Sequence, residues 1–249
     1  MNQSNQAHFR YSTGVIAYPV FFVLTLWVVF WLQVRFFPAI KGFGVYPQKM
    51  EGLIGIVTSP FIHGDIEHLY HNSIPLFVLS MALFYFYRKI SWKVIFYGIL
   101  LSGLFTWIIG RPSNHIGASG LVYVLVSFIF FKGIFAKHYR LVALSLIIVF
   151  LYGSMVWYAF PVKEGMSWEG HLGGLISGFL FAIIFRRAIA KPERYVWQEP
   201  DYNEDDDPFL RHFDEHGNFI ENLEPEEEPE MNSESSEPNI TYTFKENKD

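Results

Sequence analysis

The sequence predicts an all-α polytopic membrane protein: a bundle of six transmembrane helices followed by an acidic, disordered C-terminal tail. Three observations predict it. Of the 249 residues, 51% are hydrophobic and 19% aromatic, outside the usual range of soluble domains. Six apolar runs are each long enough for a hydrocarbon core of about 30 Å. Runs of that length without alternation must be helices, because only helices and closed barrels satisfy every backbone group in lipid. The charge is also segregated. Before residue 191 lie 14 of the 19 lysines and arginines but five of the 24 acidic residues, so a net charge of −5 divides into a basic apolar body and a strongly acidic tail.

The first 14 residues read as a short cytoplasmic N-terminus. The first span, Val15–Phe36, exceeds the length of a signal-peptide core and has no small-residue cleavage site after it, so it reads as an uncleaved helix. The connection from Phe37 to Glu67 mixes glycines, prolines and apolar residues ("MEGLIGIVTSPFIHG") and is expected to dip into the outer leaflet. The remaining spans are His68–Tyr87, Ser91–Ile109, Ala118–Phe135, Leu141–Phe160 and Trp168–Phe185, giving a membrane domain over residues 15–190. Arg88, Lys89 and Lys93 crowd the second turnaround, and Lys132, Lys137 and Arg140 the fourth. Arg186, Arg187, Lys191 and Arg194 follow the sixth span, and the alternate connections are poorer in such residues. The positive-inside bias then puts both termini in the cytoplasm. The tail, residues 191–249, contains "NEDDDPFLRHFDEHG" and "ENLEPEEEPEMNSESSEPN", too acidic and too poor in apolar residues to build a core.

Cysteine is absent, which removes disulfides, thiolate catalysis and cysteine-ligated metals. The other polar residues converge. The second, fourth and sixth spans run in the same direction, so their first turns share one depth. The second opens with "EHLYHNS" and brings His68 and Asn72 at i, i+4, on one helix face. The fourth opens within "NHIGASGLVY" with Ser119, flanked by Gly117 and Gly120 and followed by Tyr123 at i+4. The sixth opens with "WEGHLGGLISG", placing His171 in its first turn and Gly174 and Gly178 on the same face. Polar groups at membrane depth are costly and face a bundle interior or a wet cavity. Bare glycine faces let two helices pack closely, close enough for a serine to meet a base.

A serine needs an adjacent base to become a nucleophile, and His171 is the candidate for Ser119. Glu169 lies two residues from His171, roughly 200° round the helix, so the spacing favours a dyad over a triad. His68 and Asn72 are candidate oxyanion donors. Each element has a plainer reading: Gly117-Ala118-Ser119-Gly120 as a packing surface, His171 as an interhelical hydrogen-bond partner. His63, His71 and His115 read as loop or rim residues.

These residues resemble the rhomboid intramembrane serine proteases over about residues 15–190. Gly117-Ala118-Ser119-Gly120 is similar to that family's G-x-S-G, His171 to its helix-six base, and His68 and Asn72 to its H-x-x-x-N. The resemblance makes Ser119 the nucleophile and has Tyr123 pack against the catalytic imidazole. It also matches His63 to a further histidine of that segment. It implies a six-helix rhomboid-like bundle that cleaves transmembrane protein substrates near their extracytoplasmic ends, after small residues. No cofactor, metal or nucleic-acid partner is expected, and membrane lipid is the surrounding partner. One departure is visible: where family members often carry a Trp-Arg pair in the first loop, this chain reads Leu53-Ile54-Gly55. Two other readings are a catalytically inactive rhomboid-like chaperone or binding protein, which would be expected to have lost Ser119 or His171, and a histidine-rich metalloenzyme. For the second, zincins use H-E-x-x-H, whereas Glu67 here precedes His68.

Overall fold

The computed structural model describes residues 11–186 and, within the tail, residues 195, 197, 200–214 and 216–221. Arg187, Lys191, Arg194 and most of the acidic tail lie outside the described residues, as does the start of the N-terminal segment.

Long unbroken apolar runs with helical backbone pairing form α1 (Gly14–Arg35), α3 (Ile66–Phe86), α4 (Ser91–Ile109), α5 (Ser119–Ala136), α6 (Tyr139–Tyr152) and α7 (Trp168–Ile184), with the single turn α2 (Gly55–Thr58) before α3. Among the described residues no β-strand forms. Five stretches are long and apolar enough to cross a membrane: α1, α3, α4, α5, and α6 with the 3₁₀ turns that extend it to Ala159. Helix α7 is apolar but has 17 residues.

The predicted boundaries lie within two residues of the observed ones except in the fifth span. There the α-helix stops at Tyr152 and a tighter 3₁₀ segment, Gly153–Ala159, continues. The change of winding falls at Gly153, a residue that weakens an α-helix interior. The segment ends at Ala159, so its last carbonyl groups, that of Tyr158 among them, have no helical partner.

Helix α5 is the centre of the bundle. Residues on all its faces are buried, among them Leu121, Val122, Val124, Leu125, Phe128 and Ile129, and it packs on α3, α4, α6 and α7. Lys132, read from sequence as a loop charge, is instead fully buried in α5, where its ammonium donates to the Phe185 carbonyl at the end of α7. A cation suits a helix C-terminus, where unpaired carbonyls gather.

The long first connection is built of helical turns: 3₁₀ segments Pro38–Phe43, Met50–Leu53 and Ser59–Phe61, with α2 between the last two. It is fastened at its middle. The Trp107 indole N–H donates to the Lys49 carbonyl at 2.9 Å, and the Gln48 N–H to the Trp107 carbonyl at 3.1 Å. In this chain, which lacks the Trp-Arg pair, Trp107 of α4 is tied to the first connection. Val45 and His115 form a two-way backbone bridge that ties this connection to the loop before α5.

Within the tail, the described residues hold local structure, which a reading of disorder from composition did not anticipate. Short 3₁₀ turns occupy Glu204–Asp206 and Leu210–His212. Asp207 accepts from the Phe209 N–H at 2.8 Å and the Tyr202 hydroxyl at 2.7 Å. Asp214 accepts from the N–H groups of His216 and Asn218. Asp and Asn side chains can cap turns locally without a hydrophobic core, so low apolar content did not preclude them.

Candidate active site

Ser119 is the first residue of α5, and the Ser119 hydroxyl oxygen lies 2.9 Å from His171 Nε2. His171 sits in the first turn of α7, 5% exposed. Its other ring nitrogen, Nδ1, is 2.8 Å from the Tyr158 carbonyl. A carbonyl can only accept, so Nδ1 carries the proton and the neutral ring presents its Nε2 lone pair to the serine hydroxyl. That is the tautomer a general base requires. The orienting group is the freed carbonyl of the 3₁₀ segment after α6, so no carboxylate is needed for this purpose.

The Tyr123 ring lies flat on the imidazole, with centroids 4.2 Å apart and planes 11° apart. Its hydroxyl donates to the Met155 carbonyl at 2.7 Å, in the same 3₁₀ segment. One short stretch of backbone therefore holds both the imidazole and the ring stacked against it.

Close approach of α5 and α7 makes the contact possible, and the glycines of α7 permit it. A Cβ placed on Gly174 would meet Tyr123 Cβ at 2.7 Å and the Val124 nitrogen at 3.2 Å. Gly120 is different: the nearest atom to its hypothetical Cβ is Ser102 Oγ at 3.5 Å, an ordinary contact. The tight packing is thus concentrated on the α7 side. Gly117 matters for another reason. Its φ of +111° lies where L side chains rarely go, and a Cβ there would meet the His68 ring at 2.6 Å.

His68 and Asn72 both converge on Gly117, two residues before the serine; Asn72 Nδ2 is 3.5 Å from the same hypothetical Cβ. Asp65 caps α3 by accepting from the His68 N–H at 2.7 Å, which places His68 in the first turn. Asn72 is buried and donates one amide hydrogen to the His68 carbonyl at 3.1 Å, leaving a second on the same nitrogen. The Ser119 N–H, at the helix start, has no acceptor within α5.

His63 is buried against His68, their ring centroids 5.1 Å apart, and the Ala118 N–H points at its Nε2 from 3.4 Å. Burial, with His68 beside it, holds the His63 imidazole down at about 4, so it stays a neutral acceptor for that amide. The Gly117 N–H donates to the Ser59 carbonyl at 2.9 Å. The Gly117 and Ala118 amides leading to Ser119 are thus both held. His71 points away, with 70% of its side chain exposed, 3.7 Å from Glu67.

Three features escaped the sequence reading. His115 and His63 lie in loops as read, but both are buried and not at the rim, and His115 Nδ1 lies 2.6 Å from Ser167 Oγ. Glu169 does not serve His171 but accepts from the Arg111 backbone N–H at 3.1 Å, with the guanidinium 3.7 Å away. The Tyr158 carbonyl, as a backbone group, has no signature in residue type. A cavity of about 30 Å³ adjoins Ser119 and is lined by Ser102, Thr106, His115 and Ser167 among others. It is polar and about the size of one water molecule. Among the described residues no group of three or more His, Asp or Glu is arranged to hold a metal ion.

Comparison with known proteins gives the family. A family model for the Rhomboid domain matches residues 50–188. The uncharacterized protein Rv1337 of Mycobacterium tuberculosis is 35% identical over 167 residues, covering 61% of this chain and 65% of its own length. The uncharacterized protein ML1171 of Mycobacterium leprae is 31% identical over 167 residues, 61% of this chain and 62% of its own. This chain therefore spans just under two thirds of those mycobacterial proteins. YdcA of Bacillus subtilis, which its name assigns provisionally to the rhomboid proteases, is 25% identical over 196 residues, 74% of this chain and 96% of its own. With a matching domain over more than half its length and several apolar helices around it, this chain is a multi-pass membrane protein of the rhomboid family.

Proposed function

We propose that the chain is an intramembrane serine endopeptidase that uses a Ser119–His171 dyad to cut transmembrane segments of other membrane proteins. The observation that carries this reading is the 2.9 Å contact from Ser119 Oγ to an imidazole whose tautomer is set by the Tyr158 carbonyl. In the reaction, Nε2 takes the hydroxyl proton as Oγ attacks the scissile carbonyl. The imidazolium then returns that proton to the departing amine. A water molecule, deprotonated by the same nitrogen, then attacks the ester, and that proton passes to Ser119 Oγ as the ester bond breaks and the acid product leaves. The polar cavity beside Ser119 is a suitable place for it.

The oxyanion donors in this reading are the Ser119 N–H, Asn72 and His68, which converge from α3 and the loop at Gly117. Such donors act mainly in the transition state. His68→Ala and Asn72→Ala should each lower kcat by about 10- to 10³-fold with a smaller effect on KM, measured on a transmembrane substrate in proteoliposomes. Full turnover in both variants would remove the assignment.

The reading extends to topology. Helix α7 serves as the sixth span, both termini are cytoplasmic, and the site opens near the extracytoplasmic face. Substrate helices are cut there because their carbonyls must first leave i→i−4 hydrogen bonds, which is costly deeper in lipid. The glycine-lined approach favours a small side chain at the cut. The decisive experiment is labelling of detergent-solubilised protein with a fluorophosphonate. The wild type should be labelled and Ser119→Ala should not. Equal labelling of the two would end the proposal.

A further inference from the structure

The loop that carries Ser119 is fastened to the first turn of α7 at three places, and only one of them is the contact with His171. At the loop's start, the Arg111 N–H donates to Glu169 Oε1 at 3.1 Å, and the guanidinium lies 3.7 Å from the same oxygen while donating to the Met166 carbonyl. At its middle, His115 Nδ1 is 2.6 Å from Ser167 Oγ and Nε2 is 3.1 Å from the Arg111 carbonyl. At its end stands Ser119, 2.9 Å from His171. Residues 166, 167, 169 and 171 span less than two helical turns, so all three contacts fall at the head of α7, with Arg111 reaching past Ser167 to Glu169.

We infer that Arg111–Glu169 and His115–Ser167 are positioning pairs that set the register of Ser119 against His171. The inference rests on the serine-protease reading above. Its first support is cost. Glu169 is 1% exposed at the head of an apolar helix, and among the described residues its second oxygen has no hydrogen-bond partner. A buried ion pair rarely stabilises a protein more than a well-packed apolar residue would, and ionisable groups at membrane depth are expensive. A carboxylate kept there serves geometry.

Its second support is the direction of the grip. Glu169 is roughly 200° round α7 from His171, so Arg111 holds the helix from the side away from the nucleophile. The motion that would break the dyad is rotation of α7 about its own axis. At a side-chain radius of about 5–6 Å, a turn of roughly 10° moves Nε2 by about 1 Å, and a displacement of that size can cost about 10²-fold in rate. A contact on the opposite face resists that rotation; the Ser119–His171 hydrogen bond alone does not. His115 joins both rungs, because it meets Ser167 through one nitrogen and the Arg111 carbonyl through the other.

The test uses the full-length protein in proteoliposomes with a transmembrane substrate, together with fluorophosphonate labelling. Glu169→Leu keeps the volume and removes the charge and acceptors. It should lower kcat about 10- to 100-fold, leave KM within about two-fold, and slow labelling in parallel. Glu169→Gln retains an oxygen for the Arg111 N–H and should recover most of the rate. Ser167→Ala removes one hydroxyl, so it keeps the test open if Glu169→Leu does not fold; it should lower kcat about three- to ten-fold. Glu164→Gln, at an exposed position in the connection before α7, serves as the unperturbed control. Unchanged kcat per folded enzyme in both Glu169→Leu and Ser167→Ala, or a loss wholly in KM, overturns the inference. A wild type that neither labels nor cleaves overturns the protease reading and this inference together, whereas an active wild type with unaffected variants overturns this inference alone.

Discussion

Replacing His171 with alanine should leave a folded membrane protein whose turnover falls by about 10⁴- to 10⁶-fold. On the proposed mechanism, the size follows from the site's dependence on one base. Among the described residues, Ser119 Oγ has one imidazole within hydrogen-bond reach, at 2.9 Å, oriented by a backbone carbonyl at 2.8 Å. Without it, no neutral acceptor stands where the hydroxyl proton must go, and the leaving amine has no donor. The fold should survive, because α7 is held elsewhere: Gly174 and Gly178 sit against α5, and Arg111 grips Glu169. The lost ring leaves a gap beside Tyr123, so a modest fall in melting temperature is expected. Cleavage of a transmembrane substrate in proteoliposomes gives the rate, and circular dichroism on heating reports the fold. Turnover near the wild-type value in a folded His171→Ala protein would show that the base lies elsewhere.

The second large effect is expected from Gly174→Val, where stability and activity should fall together. The first added carbon would lie 2.7 Å from Tyr123 Cβ and 3.2 Å from the Val124 nitrogen, with the Gly120 carbonyl oxygen also in the way. Two of those obstacles are α5 backbone, so the helices themselves must separate. Overpacking of this kind costs about 1–3 kcal/mol or more. A separation near 1 Å directly beneath the dyad should cost about 10²-fold in kcat. Gly42→Ala is a useful comparison, because a Cβ there meets nothing within 4 Å. It should match the wild type in melting temperature and rate. If Gly174→Val instead kept both its stability and its rate, close helix packing would not be what brings serine and base together.

Some of this protein is legible in one dimension. A bilayer sets a length, so each apolar run announces its own span, and five of the six appear within two residues of where the runs end. Depth is legible too: Ser119, His68 and His171 each stand near the start of a run, so helices that share a direction bring them to one level. The glycines at 174 and 178 signal close approach because their spacing puts them on one helix face. Rotation about each helix axis and the path of each loop are another matter, because neither leaves a periodic trace. Only the folded chain pairs Arg111 with Glu169, 58 residues away, and His115 with Ser167, 52 away. Only the folded chain draws Lys132 from its apparent loop into the core of α5 and gives Tyr123 and His171 their partners on the 3₁₀ segment after α6. Local sequence sets where a helix begins and how deep its residues lie, because those depend on the solvent around it. Which atoms meet across the bundle depends on every helix at once, and that was decided by packing.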